Sequence, residues 1–192
     1  MFNCVPEIKQ ANIIKYHYQQ KHSPLGDTGN ECAARLDDAA AIVGILNPII
    51  EAGVYTAFDT PLTVDAEREY ILNFPQRGVF HVAVLLPDRA VVGFQSMEPF
   101  ATFTHAFDHV GIIGTYVDIL YRRHGIGKSL FEVTFETART KGYEKILIYV
   151  RADNAGALAS YLQRGFHIIG TAQRQAKIKG TYVDEIIIER FL

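Results

Sequence analysis

The sequence contains no tryptophan and only two cysteines, and its charges nearly cancel. Cys4 and Cys32 cannot build a disulfide framework, and neither lies in a Cys-x-x-Cys or Cys/His cluster with the spacing of metal ligands. We therefore expect two reduced thiols and no metal. With 19 basic and 21 acidic residues and no long Lys/Arg run, the chain also lacks the positive footprint of a nucleic-acid-binding protein.

Long apolar runs are missing as well. The longest, from Ala39 to Leu46, is far shorter than the roughly 20 residues that a membrane-spanning helix requires. The first residues include Glu7, Lys9 and Gln10, where a secretory signal would need an apolar segment. We therefore expect no membrane partner and a cytoplasmic location.

Of the 192 residues, 48% are hydrophobic, which is enough for one sizeable core and too little for two. We predict a single domain over residues 31–192 and an N-terminal appendage over residues 1–30. The appendage combines a short helix from Pro6 to Gln20 with a polar, turn-rich stretch from Ser23 to Asn30.

The order of helix and strand signals predicts a mixed α/β fold with a mostly antiparallel sheet flanked by helices. One helix begins after Asp37-Asp38, whose carboxylates are placed to accept from its free amides, and Thr63 caps a second that runs through Asn73. Three strands follow, the first two joined by a Pro-Asp-Arg turn typical of a hairpin, over Val79–Leu86, Val91–Met97 and Val110–Val117. Alternating helices and strands complete the chain, over Ile126–Lys141, Ile146–Val150, Asn154–Arg164, Phe166–Gly170 and Tyr182–Phe191.

A glycine-bearing turn joins the third strand to the long helix. Gly125 and Gly127 let the backbone approach a ligand closely, and the helix start presents unpaired amides and a positive dipole end. Arg122, Arg123 and Lys128 add positive charge within the same turn. These features favour a site for an anionic diphosphate, and the alternative is a tight turn under a basic surface with no ligand.

The same turn also matches part of the nucleotide P-loop. Gly127-Lys128-Ser129 copies the end of Gly-x-x-x-x-Gly-Lys-Ser/Thr. That motif requires its first glycine at position 122, where this chain has Arg122. Because the arginine side chain would crowd the turn around a β-phosphate, we disfavour a nucleotide triphosphatase.

The segment from Val117 to Lys128 resembles the pyrophosphate-binding motif of the GNAT superfamily of acyl-CoA-dependent N-acyltransferases. The family motif is Gln/Arg-x-x-Gly-x-Gly/Ala, which Arg122, Gly125 and Gly127 fill completely. The similarity extends more loosely from about Arg35 to Leu192 and is greatest to the phosphinothricin and amino-acid acetyltransferase branch.

A second family element is an Asn and a Tyr seven residues apart before Gly-Phe, matched by Asn154, Tyr161 and Gly165-Phe166. Taken alone, Asn154 is an ordinary helix cap and Tyr161 a half-buried core aromatic. The spacing of about two turns places both on nearly one face of a helix. A phenol with a pKa of about 10 would protonate a thiolate with a pKa of about 8.5 in a slightly uphill step.

The resemblance implies a GNAT-like fold and an enzyme that transfers an acetyl group from acetyl-CoA, bound as co-substrate, to the primary amine of a small molecule. Amino acids and their analogues are the candidate acceptors. It also implies that Tyr116 and Val117 pair with the pantetheine arm, that the Val117 amide stabilises the oxyanion, and that Tyr161 donates to the departing sulfur. The residues implied to hold the cofactor are completed by Arg122, Arg123, His124, Gly125, Ile126, Gly127, Lys128, Ser129 and Asn154.

The incoming amine must lose a proton, and here the chain departs from the nearest branch. That branch carries a Glu about five residues before the strand valine, where this chain has Ile112. Glu98, His105, Asp108 and His109 could supply a base directly or through water. Without a strong base, an α-amine with a pKa near 7.7 to 8 is an easier acceptor than an alkylamine with a pKa of about 10.4.

Two further questions stay open in the sequence. Ile112 favours a second class, a protein of the same fold that binds acyl-CoA as a sensor or interaction module, whereas Tyr161 favours the enzyme. A homodimer is compatible with the resemblance. The walls of the substrate pocket are expected within residues 54–62 and 99–108, where aromatic residues cluster. These aromatic residues could line the pocket or fill the core, and core filling is the commoner role. They are Tyr55, Phe58, Phe100, Phe103 and Phe107.

Overall fold

A computed structural model of the protein describes residues 33–192. The appendage predicted for residues 1–30, its helix from Pro6 to Gln20 and both cysteines lie outside the described residues. The expectations about them therefore stay predictions.

Six strands form one sheet in the order β1-β2-β3-β4-β6-β5. Their bounds are β1 (Val79–Leu85), β2 (Ala90–Pro99), β3 (Val110–Val117), β4 (Lys145–Arg151), β5 (His167–Ile178) and β6 (Thr181–Phe191). Neighbouring strands are antiparallel except for β3 and β4, which are parallel. The predicted mixed, mostly antiparallel sheet and its first hairpin are thus confirmed.

Most strands lie within two residues of their predicted bounds, and β5 differs most. The sequence predicts a strand that ends at Gly170, whereas β5 continues to Ile178. Most of the added residues are exposed and polar, so they show no apolar alternation, and they pair only with β6. Their strand conformation comes from backbone hydrogen bonds that the side-chain pattern does not indicate.

Four α-helices cover the sheet: α1 (Ala39–Glu51), α2 (Val64–Leu72), α3 (Ile126–Thr140) and α4 (Ala155–Leu162). The Thr63 hydroxyl accepts a hydrogen bond from the Ala66 amide at 3.1 Å, which confirms the predicted cap of α2. The predicted caps of α1 are wrong. Asp38 instead accepts from the Arg35 amide at 2.9 Å and closes a single 3-10 turn before the helix.

The core lies on both faces of the sheet. On one face, Ile42, Ile45 and Ile49 of α1 pack with Phe80 and Phe94 of the first hairpin. On the other face, a cluster joins α3 and α4 to β3, β4 and β6. Full burial of a side chain of this size contributes about 1.5 to 3 kcal/mol to stability, so these clusters fix the helices on the sheet.

The parallel pair creates the main irregularity of the sheet. β3 and β4 are paired only where residues 110–112 face residues 145–147. Beyond that point β3 runs on to Val117 and β4 to Arg151 without pairing to each other. The two strands diverge and leave an opening in the sheet.

No helix in the described part of the chain is long and apolar enough to span a bilayer. Within residues 33–192, no group of three or more His, Cys, Asp or Glu side chains is arranged to hold a metal ion.

Candidate active site

Two adjoining cavities lie at the opening between β3 and β4. The larger cavity, of about 540 Å³, extends from the end of β3 to the start of α3 and α4. The smaller cavity, of about 360 Å³, extends towards β4 and β6. The two cavities adjoin at a shared wall, so a molecule in one can contact a molecule in the other. The residues that line both cavities are Tyr55, Thr115, Tyr116, Asn154, Ala157 and Tyr161.

The start of α3 presents free amides to the larger cavity. Gly125 is the N-cap residue, and the helix has no side-chain cap among the described residues. The first intrahelical bond runs from the Ser129 amide to the Gly125 carbonyl at 3.1 Å. The amides of Ile126, Gly127 and Lys128 therefore have no helical acceptor, and all three residues line the larger cavity. Such a helix start favours an anionic ligand.

Two residues of the predicted phosphate loop are not brought to this cavity. The Ser129 amide is already bonded within α3, and its hydroxyl donates to the Gly125 carbonyl at 3.4 Å. His124 directs Nδ1 to the Tyr121 carbonyl at 3.2 Å. Neither residue belongs to the cavity lining as the described residues form it. The other predicted residues of the loop, Arg122, Arg123 and those from Gly125 to Lys128, do line it.

Glycine is suited to positions 125 and 127 of the loop for two different physical reasons. Gly125 adopts a φ of 81°, a left-handed conformation that disfavours any side chain. Gly127 is helical, and a Cβ built on it would meet only Cγ2 of Val117 at 4.0 Å. Glycine inside a helix costs about 0.5 to 1 kcal/mol relative to alanine. Since packing within the described structure does not require Gly127, the space beside it is available to a ligand.

The larger cavity is strongly positive. Four cationic side chains line it, and no Asp or Glu among residues 33–192 does: the cations are Arg122, Arg123, Lys128 and Arg164. The Arg122 guanidinium lies 4.3 Å from the centroid of the Tyr55 ring, and its Nε donates to the Val117 carbonyl at 3.3 Å. The first contact joins the phosphate loop to the loop between α1 and α2, and the second joins it to the end of β3.

The edge of β3 also faces the opening. The Asp118 amide donates to the Val92 carbonyl of β2 at 3.0 Å. Because successive amides of a strand point to opposite sides, the amides of Val117 and Thr115 point away from β2 and into the opening. β4 has diverged at this level, so an extended ligand can pair with this edge as an added strand.

Asn154 and Tyr161 both lie in the wall shared by the cavities. Asn154 Oδ1 accepts from the Ala157 amide at 3.1 Å, which confirms the predicted cap of α4, and its Nδ2 donates to the Tyr55 carbonyl at 3.2 Å. The Tyr161 ring packs edge-on against Phe131 at a centroid distance of 5.4 Å. Its hydroxyl donates to Thr115 Oγ1 at 3.3 Å. Tyr161 thus combines a core position with a polar end in the cavities.

Burial changes the acidity of this phenol. Desolvation raises the pKa of Tyr161 to about 12, and the hydrogen bond between Tyr161 and Thr115 offsets only part of this effect. Full transfer of the proton to a thiolate with a pKa of about 8.5 is then roughly 4 to 5 kcal/mol uphill. The expectation of a slightly uphill step is therefore wrong. The phenol stays protonated at working pH and acts as a hydrogen-bond donor.

None of the four predicted bases lines either cavity as the described residues form them. Glu98 is the register partner of Ile112 across β2 and β3, and it accepts from the Tyr70 hydroxyl at 2.5 Å. His105 and Asp108 lie 3.0 Å apart, and the His109 carbonyl accepts from the amides that begin β4.

One carboxylate that sequence reasoning missed does line the smaller cavity. Glu185 lies on β6, is 8% exposed, and is the sole Asp or Glu that the described residues contribute to either cavity. The sequence signal is an acidic residue directly before the apolar run Ile186-Ile187-Ile188. That signal indicates an unusual buried charge, but only the sheet order brings it to the opening.

The aromatic residues of the two variable loops are not core. Tyr55 and Phe58 line the smaller cavity. Phe100 and Phe103 each contact Phe107 on the surface, and Phe103 is 84% exposed. Of the two roles expected for these side chains, core filling is therefore not observed, whereas the other role, lining a pocket, is observed for Tyr55 and Phe58.

Comparisons with known proteins agree with this geometry. The sequence pattern of the acetyltransferase (GNAT) family matches residues 50–166. Mycothiol acetyltransferase from Corynebacterium aurimucosum is 35% identical over 78 residues, which are 41% of this chain and 25% of that protein. The chain thus spans about a quarter of that relative's length.

Solved structures are similar over a larger share of the chain. The ribosomal-protein-alanine N-acetyltransferase from Brucella melitensis superposes with a TM-score of 0.75 and 26% identity, covering 83% of this chain and 98% of that one. A phosphinothricin acetyltransferase from Sinorhizobium meliloti, in complex with AcCoA, shares the fold with a TM-score of 0.76 and 20% identity over 83% of this chain and 86% of that one. The family pattern extends over more than half of the sequence and includes both the phosphate loop and Tyr161, and the chain therefore belongs to the GNAT family of acetyltransferases.

Proposed function

We propose that this protein is an N-acetyltransferase that moves an acetyl group from acetyl-CoA to the primary amine of a small molecule, by direct attack of the amine on the thioester. The observation that carries the proposal is the wall shared by the two cavities. In this wall, a buried tyrosine hydroxyl and the free edge of β3 lie between the uncapped start of α3 and the adjoining smaller cavity. We also propose that residues 31–192 form the catalytic domain.

The larger cavity suits the donor. Coenzyme A carries a diphosphate, and the free amides of Ile126, Gly127 and Lys128 together with Arg122 and Arg123 offer hydrogen bonds and positive charge to it. The absent side chain of Gly127 leaves the room that close approach of a diphosphate to the backbone requires. The pantetheine arm is an extended amide chain, which matches the unpaired edge that β3 presents through Thr115 and Val117, on either side of Tyr116.

The shared wall suits the reaction. Amine attack places negative charge on the thioester oxygen, and the Val117 amide points into the opening where it can donate to that oxygen. As the carbon–sulfur bond breaks, the sulfur gains negative charge. Tyr161, whose hydroxyl reaches the same wall, then donates a hydrogen bond to the sulfur.

The smaller cavity is the proposed acceptor site. Its walls combine aromatic side chains with one carboxylate, a composition that suits a small ammonium-bearing molecule. Relatives named for a ribosomal-protein alanine, for mycothiol and for phosphinothricin show that acceptors differ within the family. For this chain we propose an α-amine of an amino acid or amino-acid analogue, because such amines require less driving force for deprotonation than alkylamines.

Thiol release from acetyl-CoA tests the proposal. The full chain is assayed with a thiol-reactive dye against free amino acids, amino-acid amides, short peptides and polyamines, with wild type and Tyr161→Phe in parallel. Release that depends on the added amine and falls in the variant supports the enzyme and the role of Tyr161. If acetyl-CoA binds but no amine in the panel releases thiol, the proposal fails in favour of a binding protein.

A further inference from the structure

We propose that Glu185 is the residue that receives the ammonium group of the acceptor and removes its proton. This inference rests on the proposed acetyltransferase function and assigns the proton acceptor that the family position, Ile112, does not supply. Neither the phosphate loop nor the Asn154 and Tyr161 element contains this residue.

The position of Glu185 carries the argument. β6 lies beside β4, and Glu185 is the register partner of Arg151 at the end of β4, where the sheet is open. Its side chain lines the smaller cavity together with Thr115 and Tyr161, the two residues whose hydroxyls meet at the shared wall. The carboxylate therefore shares the cavity in which the attacking nitrogen must lie.

The carboxylate lacks the partners that usually accompany burial. Buried acidic groups are normally hydrogen-bonded, because an unpaired buried charge is costly. Glu185 is 8% exposed, yet the described part of the chain gives its carboxylate no hydrogen bond. The carboxylate oxygens are not among the fully buried, unpaired atoms of the described residues, so they are accessible in the smaller cavity. A ligand that donates N–H bonds and carries positive charge can bind them there.

The nearest cation is already committed. Arg151 donates to both oxygens of Asp153, at 2.9 and 2.6 Å, and to the carbonyls of Gly53 and Thr56, at 2.9 and 3.0 Å. It acts on Glu185 through charge and forms no direct ion pair with it in the described structure. The other titratable side chains that line this cavity are phenols, those of Tyr55, Tyr116, Tyr149 and Tyr161.

The acidity of Glu185 suits a base. Burial raises the pKa of its carboxyl group, and the charge of Arg151 opposes only part of this effect. A carboxylate with a raised pKa holds a proton more strongly, which favours proton transfer from an ammonium group near neutral pH.

The protons and bonds balance as follows. One proton of the acceptor ammonium moves to the Glu185 carboxylate, and the freed lone pair forms the carbon–nitrogen bond at the thioester carbon. The carbon–sulfur bond then breaks, and its electron pair stays on sulfur. The bonded nitrogen loses its second proton to solvent, and the departing thiolate, to which Tyr161 donates a hydrogen bond, takes up one proton from solvent. The proton on Glu185 also returns to solvent.

The test compares Glu185→Gln, which keeps the side-chain shape but cannot accept the proton, with wild type. We expect kcat/KM for an alkylamine to fall by about 100-fold or more, with the acid limb of its pH profile lost. We also expect the defect to shrink for acceptors whose conjugate acids have pKa values below the assay pH, because those amines are already neutral. Glu189→Gln is the matched control, since Glu189 lies on the same strand but binds Lys145 and His167 outside both cavities.

Several outcomes would overturn the inference and leave the proposed function standing. One is wild-type activity in Glu185→Gln, and another is an equal loss for all acceptors with the acid limb retained. Thermal melting identifies a folding defect, and Glu185→Asp, which keeps the charge on a shorter side chain, then replaces Gln.

A binding arm is independent of turnover. The coenzyme A complex is titrated with primary amines, each paired with its hydroxyl analogue. If wild type prefers amines and Glu185→Gln does not, the ammonium-binding role is supported even where no acetylation occurs, whereas equal preferences in the two proteins reject it. Absence of wild-type turnover across the panel counts against the proposed function alone.

Discussion

The hydroxyl of Tyr161 on α4 lies 3.3 Å from the hydroxyl oxygen of Thr115 on β3, in the wall shared by the two cavities. Thr115 Oγ1 also accepts from Gln95 Nε2 at 2.7 Å, so β2, β3 and α4 are joined at this point. The polar end of Tyr161 is thereby held at the opening while its ring packs in the core. Burial of the ring therefore both fixes the position of the Tyr161 hydroxyl and raises its pKa.

We expect Tyr161→Phe to lower kcat by about 100-fold with little change in the KM for acetyl-CoA, because the lost hydrogen bond acts on the departing sulfur. The aromatic packing is kept, so the free energy of unfolding should fall by only about 0.5 to 1.5 kcal/mol, the usual contribution of one hydrogen bond. Steady-state kinetics and chemical denaturation measure the two effects.

The matched control for this change is Tyr143→Phe. Tyr143 is also buried and donates to the Arg77 carbonyl at 3.2 Å, but it lines neither cavity. An equal loss of kcat in both variants would contradict a specific role for Tyr161.

Gly127→Ala should separate stability from donor affinity. Alanine improves helix propensity by about 0.5 to 1 kcal/mol, and the added Cβ has only Val117 Cγ2 near it, at 4.0 Å. The same methyl group occupies the space proposed for the diphosphate. We therefore expect a higher melting temperature together with at least a tenfold weaker affinity for coenzyme A by calorimetry.

Gly44→Ala provides the control for Gly127→Ala. Gly44 is an exposed glycine within α1, and a Cβ there would meet no atom of the described structure within 4 Å. It should show the same gain in stability and an unchanged affinity for coenzyme A. If both variants bind coenzyme A like wild type, the proposed position of the diphosphate is wrong.

Glu67 offers a test of stability against pH. Desolvation raises the pKa of this α2 carboxyl to about 7, from about 4.5 in an exposed chain. Because its pKa is raised, Glu67 binds its proton more tightly in the folded state than in the unfolded chain. This tighter proton binding stabilises the folded state fully below pH 4.5, and the stabilisation is lost as the pH rises through 7.

Glu67→Gln should therefore raise the free energy of unfolding by about 1 kcal/mol at pH 8.5 and have little effect at pH 4.5. Urea denaturation at the two pH values measures the difference. A gain of the same size at both would show that the charge of Glu67 is not its cause.

Most features that depend on nearby residues were predictable from the sequence, although the cap predicted for α1 at Asp37-Asp38 was not. The Thr63 and Asn154 caps and the first hairpin rest on contacts within three or four residues, or on turn chemistry that is visible in the letters. The site's position at the end of β3 followed from the phosphate loop.

Features that depend on long-range packing were not predictable. Glu185 reaches the cavity only because β6 inserts between β4 and β5 and because β3 separates from β4. The raised pKa of Tyr161 is likewise a consequence of burial among Phe131 and Phe166. Sequence spacing could place the phenol on a helix face but could not give its surroundings.

The charge of the smaller cavity predicts a preference among acceptors. A free amino acid carries a carboxylate next to its ammonium group, and that carboxylate would enter a cavity that already holds Glu185, while the Arg151 guanidinium is committed to Asp153 and two backbone carbonyls. At a separation of about 6 Å and an effective dielectric constant of about 20, two like charges repel by roughly 3 kcal/mol. We therefore expect alaninamide to exceed alanine in kcat/KM by at least about tenfold.

Amidation also lowers the amine's own pKa, and Glu185→Gln distinguishes the two causes. Repulsion predicts that the ratio falls in the variant, whereas an effect of amine pKa alone predicts that it stays the same or rises once the base is gone.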